Sequence, residues 1–230
     1  MGNAGGLFHL CDGVVIAVDS PGSPGVETLL LSSGRISAES WAAALAESVQ
    51  TRSLQAALVA RGNIGAAEAR VLAVAALRDA AFAAAVGDVE RCVVDEPVDE
   101  PLLPVAEGLA VDVVLSETGR RLDAVASLPV SLSPYRDRVV AASGAESADS
   151  TSERREIIAH ATGRRSARDI AFAVGRGLYP VTVEVARMLG EGLLEIASPA
   201  ASFSFAHGSL ASLHARAEAG SAPAGAEPPG

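Results

Sequence analysis

A chain of 230 residues that is 49% hydrophobic can build one large core or two small ones, but aromatics make up only 3%, so alanine, valine and leucine must fill them. All 18 basic residues are arginine and 28 acids outnumber them, for a net charge of −10, so a basic footprint for nucleic acid can exist only where charge is locally concentrated. No apolar run approaches the ~20 residues that cross a bilayer, no basic-then-apolar leader opens the chain, and Cys11 and Cys92 lack metal-type spacing; a cytoplasmic protein with reduced thiols and no membrane partner is expected.

Two apolar runs from Gly6 to Val18 flank Asp12-Gly13, the signal for a hairpin with a type I′ turn, and strand alternation puts His9 on the outward face. A Pro/Gly loop, 19–25, leads to a helix from Val26 that stops at Ser33-Gly34. Two similar units follow, SSGRISAESWAAAL from Ser32 and VARGNIGAAEARVL from Val59. Gly34 and Gly62 lie 28 residues apart and Ile36 aligns with Ile64, so each unit leads from a turn into an Ala-rich helix. Over roughly residues 5 to 130 the chain resembles the PatA-type N-terminal domain of bacterial regulatory proteins. The likeness rests on Gly6, Leu7, Asp12, Gly13, Val14 and Ala17, then Leu29, Leu30 and the run Gly34-Arg35-Ile36-Ser37. It implies a domain for sensing and protein contacts, without catalysis.

From Val86 the character changes. The acid-rich stretch Asp88 to Glu100 holds Cys92-Val93-Val94, read as a short strand, and Asp-Glu-Pro runs, read as exposed loop because proline cannot donate to a ladder. Val105 to Leu128 reads as a long helix with Leu109, Val113, Leu122 and Val125 on one face and Gly119 as an interruption. Small polar residues over 141–150 mark a linker between a first domain, 1–140, and a second, 151–207. Residues 208–230 have the composition of a disordered tail.

The second domain reads as three helices and a hairpin: Glu153 to His160 behind a Thr151-Ser152 cap, Ala167 to Val174 capped by Ser166, and a third from Pro180. Gly175-Arg176-Gly177 turns between the last two, Val181, Val185, Met188 and Leu189 form the third helix's apolar stripe, and Gly190 and Gly192 end it. A hairpin would run from Leu193 to about His207. This plan, and the run ARDIAFAV with YPVTVEVARMLGEGLLE, resemble the winged helix-turn-helix of transcription regulators, in which the third helix enters the major groove. The expected class is therefore α+β, mainly helical: an N-terminal β-hairpin plus helices, then a C-terminal winged helix-turn-helix.

Chemistry has few candidates. The acid-rich stretch matches no calcium loop and the four histidines sit in no metal motif, so neither metal nor cofactor is expected. No serine occupies a Gly-x-Ser-x-Gly elbow and no glycine run has a phosphate-loop ending, so no enzyme is expected. Arginine carries the remaining signal: residues 151–197 hold 7 Arg against 6 acids, whereas 1–150 hold 10 against 20. Arg164 and Arg165 precede the second helix, Arg168 lies on its first turn, and Arg176 and Tyr179 precede the third; all are placed to reach phosphate. Thr182 and Arg187 are the base readers, on an outward face shared with Val183 and Ala186. The leading reading is a bacterial transcriptional regulator, a homodimer on double-stranded DNA whose N-terminal domain senses or dimerises. The alternative is a non-catalytic signalling adaptor whose winged helix binds a signalling protein, its arginines paired with Glu153, Glu156 and Asp169 as ordinary surface ion pairs. A small-ligand sensor would need a pocket between hairpin and helices, for which the sequence names no residues.

Overall fold

Asp12 and Gly13 both take positive φ, 48° and 81°, the conformation that lets two twisted strands pair across a two-residue turn. In the computed structural model, which describes residues 5–87, 89, 91–94, 100–145 and 151–197, this turn joins β1 (Leu7–Cys11) to β2 (Val14–Asp19). The antiparallel register slips between His9 and Leu10. Against expectation, His9 is the buried residue of β1, 7% exposed with Nε2 2.8 Å from Asp19 Oδ2, while Leu7, Phe8 and Leu10 face solvent. No two-residue alternation holds along β1: His9 alone is buried, and the residues on both faces around it are exposed.

α1 (Val26–Leu31), α2 (Ala38–Thr51), α3 (Leu54–Ala60) and α4 (Ala66–Val86) realise the two repeated units. The same turn is built twice. Gly34 and Gly62 take φ of 71° and 68°, and their amides donate to Leu31 O and Val59 O at 3.0 and 2.9 Å. The next amides, Arg35 and Asn63, return to Leu30 O and Leu58 O, both at 3.0 Å. Ile36 and Ile64 then drop into the core at matching places. The many alanines of α4 let neighbouring backbones come close, and its face from Ala69 to Ala84 is the buried spine of this half.

α5 (Val111–Ala126) is shorter than the helix expected over 105–128. The sheet takes the first residues: Val105 N donates to Ile16 O at 2.8 Å, and β3 (Leu109–Ala110) pairs with β2 to complete the order β1-β2-β3. Gly119 lies within α5 without ending it, and Cys92-Val93-Val94 forms no strand.

β4 (Arg138–Ala141), α6 (Ser152–His160), β5 (Thr162–Ser166), α7 (Ala167–Val174), α8 (Leu178–Gly190) and β6 (Leu194–Ile196) complete the order. A second antiparallel sheet runs β5-β4-β6. Its middle strand therefore precedes the three helices, and Ala141, the first residue of the expected linker, ends that strand. β6 begins where the expected hairpin begins, but its partner is β4. The rest of that hairpin, 198–207, the second half of the linker, 146–150, the Asp95–Asp99 stretch and the 208–230 tail lie outside the described residues.

Three apolar clusters hold the described residues together. One fills the space among the hairpin and α1–α4, a second lies among α6, α7, α8 and β4, and a third joins them. The joining cluster is Phe82, Ala83 and Leu178, flanked by Leu122, Tyr135 and Tyr179. Burying Phe82 and Leu178 stabilises this seam by about 2 kcal/mol each. Eight helices and two three-stranded sheets make the described fold α+β, and no described helix is long and apolar enough to cross a bilayer.

Candidate functional site

α7 starts where the sequence places it. Ser166 and Asp169 form a capping box: the Ser166 amide and hydroxyl donate to Asp169 Oδ2 at 2.9 and 3.0 Å, and the Asp169 amide donates back at 3.3 Å. The Asp169 carboxylate also holds the Arg138 guanidinium. Burial pushes this carboxyl up, but the Ser166 hydrogen bonds and Arg138 outweigh it and hold it below the usual range.

α8 begins at Leu178, two residues before Pro180, and it is capped from a distance. Gly177 at its N-cap has no side chain to offer. Instead the buried carboxylate of Asp79, on α4, accepts from Leu178 N at 2.5 Å and Tyr179 N at 2.8 Å. A helix N-terminus carries unpaired amides and partial positive charge, so a buried anion is favoured there. Ser23 Oγ donates to the same carboxylate at 2.7 Å, and Arg121 Nη1 stands 4.0 Å away. Glycine at 177 leaves room for this carboxylate, since a Cβ there would lie 2.9 Å from Asp79 Oδ1 and displace it. Gly175, at φ 64°, passes still closer to the other half: a Cβ would meet Ser33 N at 2.3 Å. The turn between α7 and α8 is thus pressed onto α1 and α4.

The phosphate candidates sit as follows. Arg168 turns to the N-terminal half, donating to Pro21 O from Nε at 3.1 Å and Nη2 at 2.6 Å, with its guanidinium 4.8 Å above the Phe172 ring. Arg176 pairs with Glu153 at 3.3 Å and Glu156 at 3.1 Å. Arg164 and Arg165 lie on β5, a strand where the sequence suggested only a break; Arg165 meets His160 Nδ1, and Arg164 is exposed with no ion-pair partner among the described residues. Tyr179 is a seam residue, its ring edge-on to Phe82 at 5.2 Å and beneath Arg121 at 4.8 Å.

The base-reading face differs from the expected one. Thr182 is fully buried, its hydroxyl donating to Leu178 O at 2.7 Å, and Ala186 is buried as well. α8 buries Val181, Thr182, Val185 and Ala186 together, a broader stripe than i, i+4, i+7 spacing suggests. Arg187 does face out, 3.7 Å from Glu184. That glutamate and Glu191 also hold Arg154, at 2.6 Å each, and the Arg154 hydrogen bonds keep the Glu191 carboxyl below its usual range.

Sequence reasoning passed over Asp79, Arg121 and the Pro21–Ser23 loop. One signal was present: Asp79 is an acid on the same helical face as Leu72, Ala76 and Ala83, where a charge needs a partner. Among the described residues no group of three or more His, Cys, Asp or Glu is arranged to hold a metal ion. No family model matches the chain, and comparisons with curated proteins and with solved structures find no match either.

Proposed function

We propose that this chain is a non-catalytic signalling adaptor: a PatA-type N-terminal domain joined to a helix-turn-helix module of winged type that meets protein rather than duplex DNA. The observation that carries this reading is the capping of α8 by Asp79. In groove-docking proteins the first residues of the third helix reach base edges and phosphates. Here the first-turn amides are committed to a carboxylate of the same chain, and Gly175 in the turn before them lies against the Ser32-Ser33 backbone.

The arginines support the same reading. Arg168 and Arg176 are engaged internally, as is Arg154, and a phosphate contact would first have to displace carboxylates or a carbonyl. Binding through backbone phosphate draws on released counterions for each free cation, and over 151–197 Arg155 and Arg164 are the exposed arginines with no carboxylate partner among the described residues. The winged reading of 151–197 is supported by β5 between the first two helices and β6 after the third, although β4, from ahead of the helices, holds the central strand position.

A mobility-shift titration on mixed-sequence duplex at low salt tests it. The proposal expects no retardation by wild type and no change in an Arg164→Ala/Arg165→Ala double variant. Retardation that weakens steeply with salt, and weakens further in that variant, would return the case to the DNA-binding regulator.

A further inference from the structure

Loop 20–25 forms one wall of a cavity of about 450 Å³ that opens between the hairpin and α4. That volume lies within the range of small-molecule sites, roughly 300–1,000 Å³. Ala73, Ala76, Leu77 and Ala80 of α4 form its floor, with Val18 and Leu103 beside them. Three alanines there leave room that larger side chains would fill. Ser20, Ser23 and Thr28 also line it, and Asp19 and Glu27 are the charged lining residues among those described.

We propose that this cavity is an effector site for a small aliphatic amine, and that loop 20–25 transmits its occupancy to the C-terminal module. The apolar floor suits a short hydrocarbon body. The charged lining selects the head group: Asp19 already holds His9 Nε2 at 2.8 Å, but Glu27 is exposed with no ion-pair partner among the described residues, and the chain as a whole is at −10, so a cation is attracted to Glu27 and a carboxylate or phosphate repelled. Among the described lining residues none is aromatic, which sets the site apart from a cage for quaternary ammonium groups.

Transmission follows from two polar contacts of this loop. Pro21 and Ser23 both line the cavity. Pro21 O accepts from Arg168 on α7, and Ser23 Oγ donates to Asp79, which in turn caps α8. A ligand that shifts this loop therefore moves ties to both helices at once. The inference stands whether the C-terminal module meets protein or DNA.

Hexylammonium, with hexanoate as the charge control, tests it by amide chemical shifts on the full chain. The amine should give saturable shifts at Ser23, Ala76 and Ala80 and, at the same midpoint, at Leu178 and Tyr179; hexanoate should give none. Glu27→Gln, at an exposed position, should weaken the amine about two- to fivefold, and Ala76→Leu, which fills the floor, should abolish binding. Absence of saturable shifts, or equal shifts with hexanoate, would overturn the site. Shifts at the cavity with none at Leu178 and Tyr179 would overturn the transmission.

Discussion

Asp79 and Leu178 stand 99 positions apart in sequence, and a 2.5 Å hydrogen bond from the Leu178 amide to the Asp79 carboxylate joins them. With the bonds from Tyr179 and Ser23, one buried side chain ties α4, α8 and loop 20–25 together. Asp79→Ala would leave two amides and a hydroxyl without their acceptor, in a seam that water does not readily enter. The expected loss is about 3 kcal/mol, read from urea unfolding, with about half that for Asp79→Asn, which keeps one acceptor oxygen.

Gly175 makes an independent claim about the same seam. Alanine there would carry both the positive-φ penalty and a collision with the Ser32-Ser33 backbone. Gly175→Ala should cost about 2 kcal/mol or more, against well under 1 kcal/mol for alanine at Gly65, which has open space and an extended backbone. Thermal unfolding of the two variants side by side measures the difference.

Thr182 separates the buried face of α8 from the face expected of a DNA reader. Thr182→Arg, harmless on a solvent-facing position, should prevent folding here because it buries an unpaired charge. Thr182→Val keeps the shape and loses only the bond to Leu178 O, at about 1 kcal/mol. Circular dichroism and urea titration distinguish these outcomes.

Acid should loosen the carboxylate pairs in a defined window. Asp169, Glu191 and Glu117, an α5 carboxyl that burial raises but the hydrogen bonds of Arg120 and Arg121 lower further, all have folded pKa values below their unfolded ones. Their contribution is fully present above the unfolded values of about 4 and is lost as pH falls through the lowered folded values. Urea midpoints should therefore change little between about pH 5 and 8 and fall below about pH 4, with a smaller fall in Asp169→Asn. At the alkaline end, burial pushes the Tyr135 phenol up to about 12. Its contribution is present below the unfolded value of about 10 and is lost as pH rises toward the folded one, and Tyr135→Phe should remove that loss.

Local chemistry made much of this fold legible. Asp12-Gly13, the paired glycines 34 and 62, Ser166 and Gly175 each specify a backbone conformation within a few residues, and the structure has the turn or cap that each implies. What sequence left hidden depends on distant partners. β3 and the start of α5 are set by pairing with β2, and β4 is a strand because β5 and β6 flank it. α8 starts early, at Leu178, because a carboxylate 99 positions upstream caps it, and its buried face follows from packing against that distant half. Arg168 and Tyr179 look like surface residues in a linear chain because nothing nearby reveals that Pro21 and Phe82 lie against them.

Hydrogen exchange at the Leu178 and Tyr179 amides tests the central tie most directly. First-turn helix amides have no partner inside their own helix and exchange fast when open to water. Held by Asp79, these two should exchange as slowly as the α4 core and should lose that protection in Asp79→Ala while the amides of the α8 interior keep theirs. Rapid exchange at both positions in the wild type would show the carboxylate and the helix apart, contradicting the account at its root.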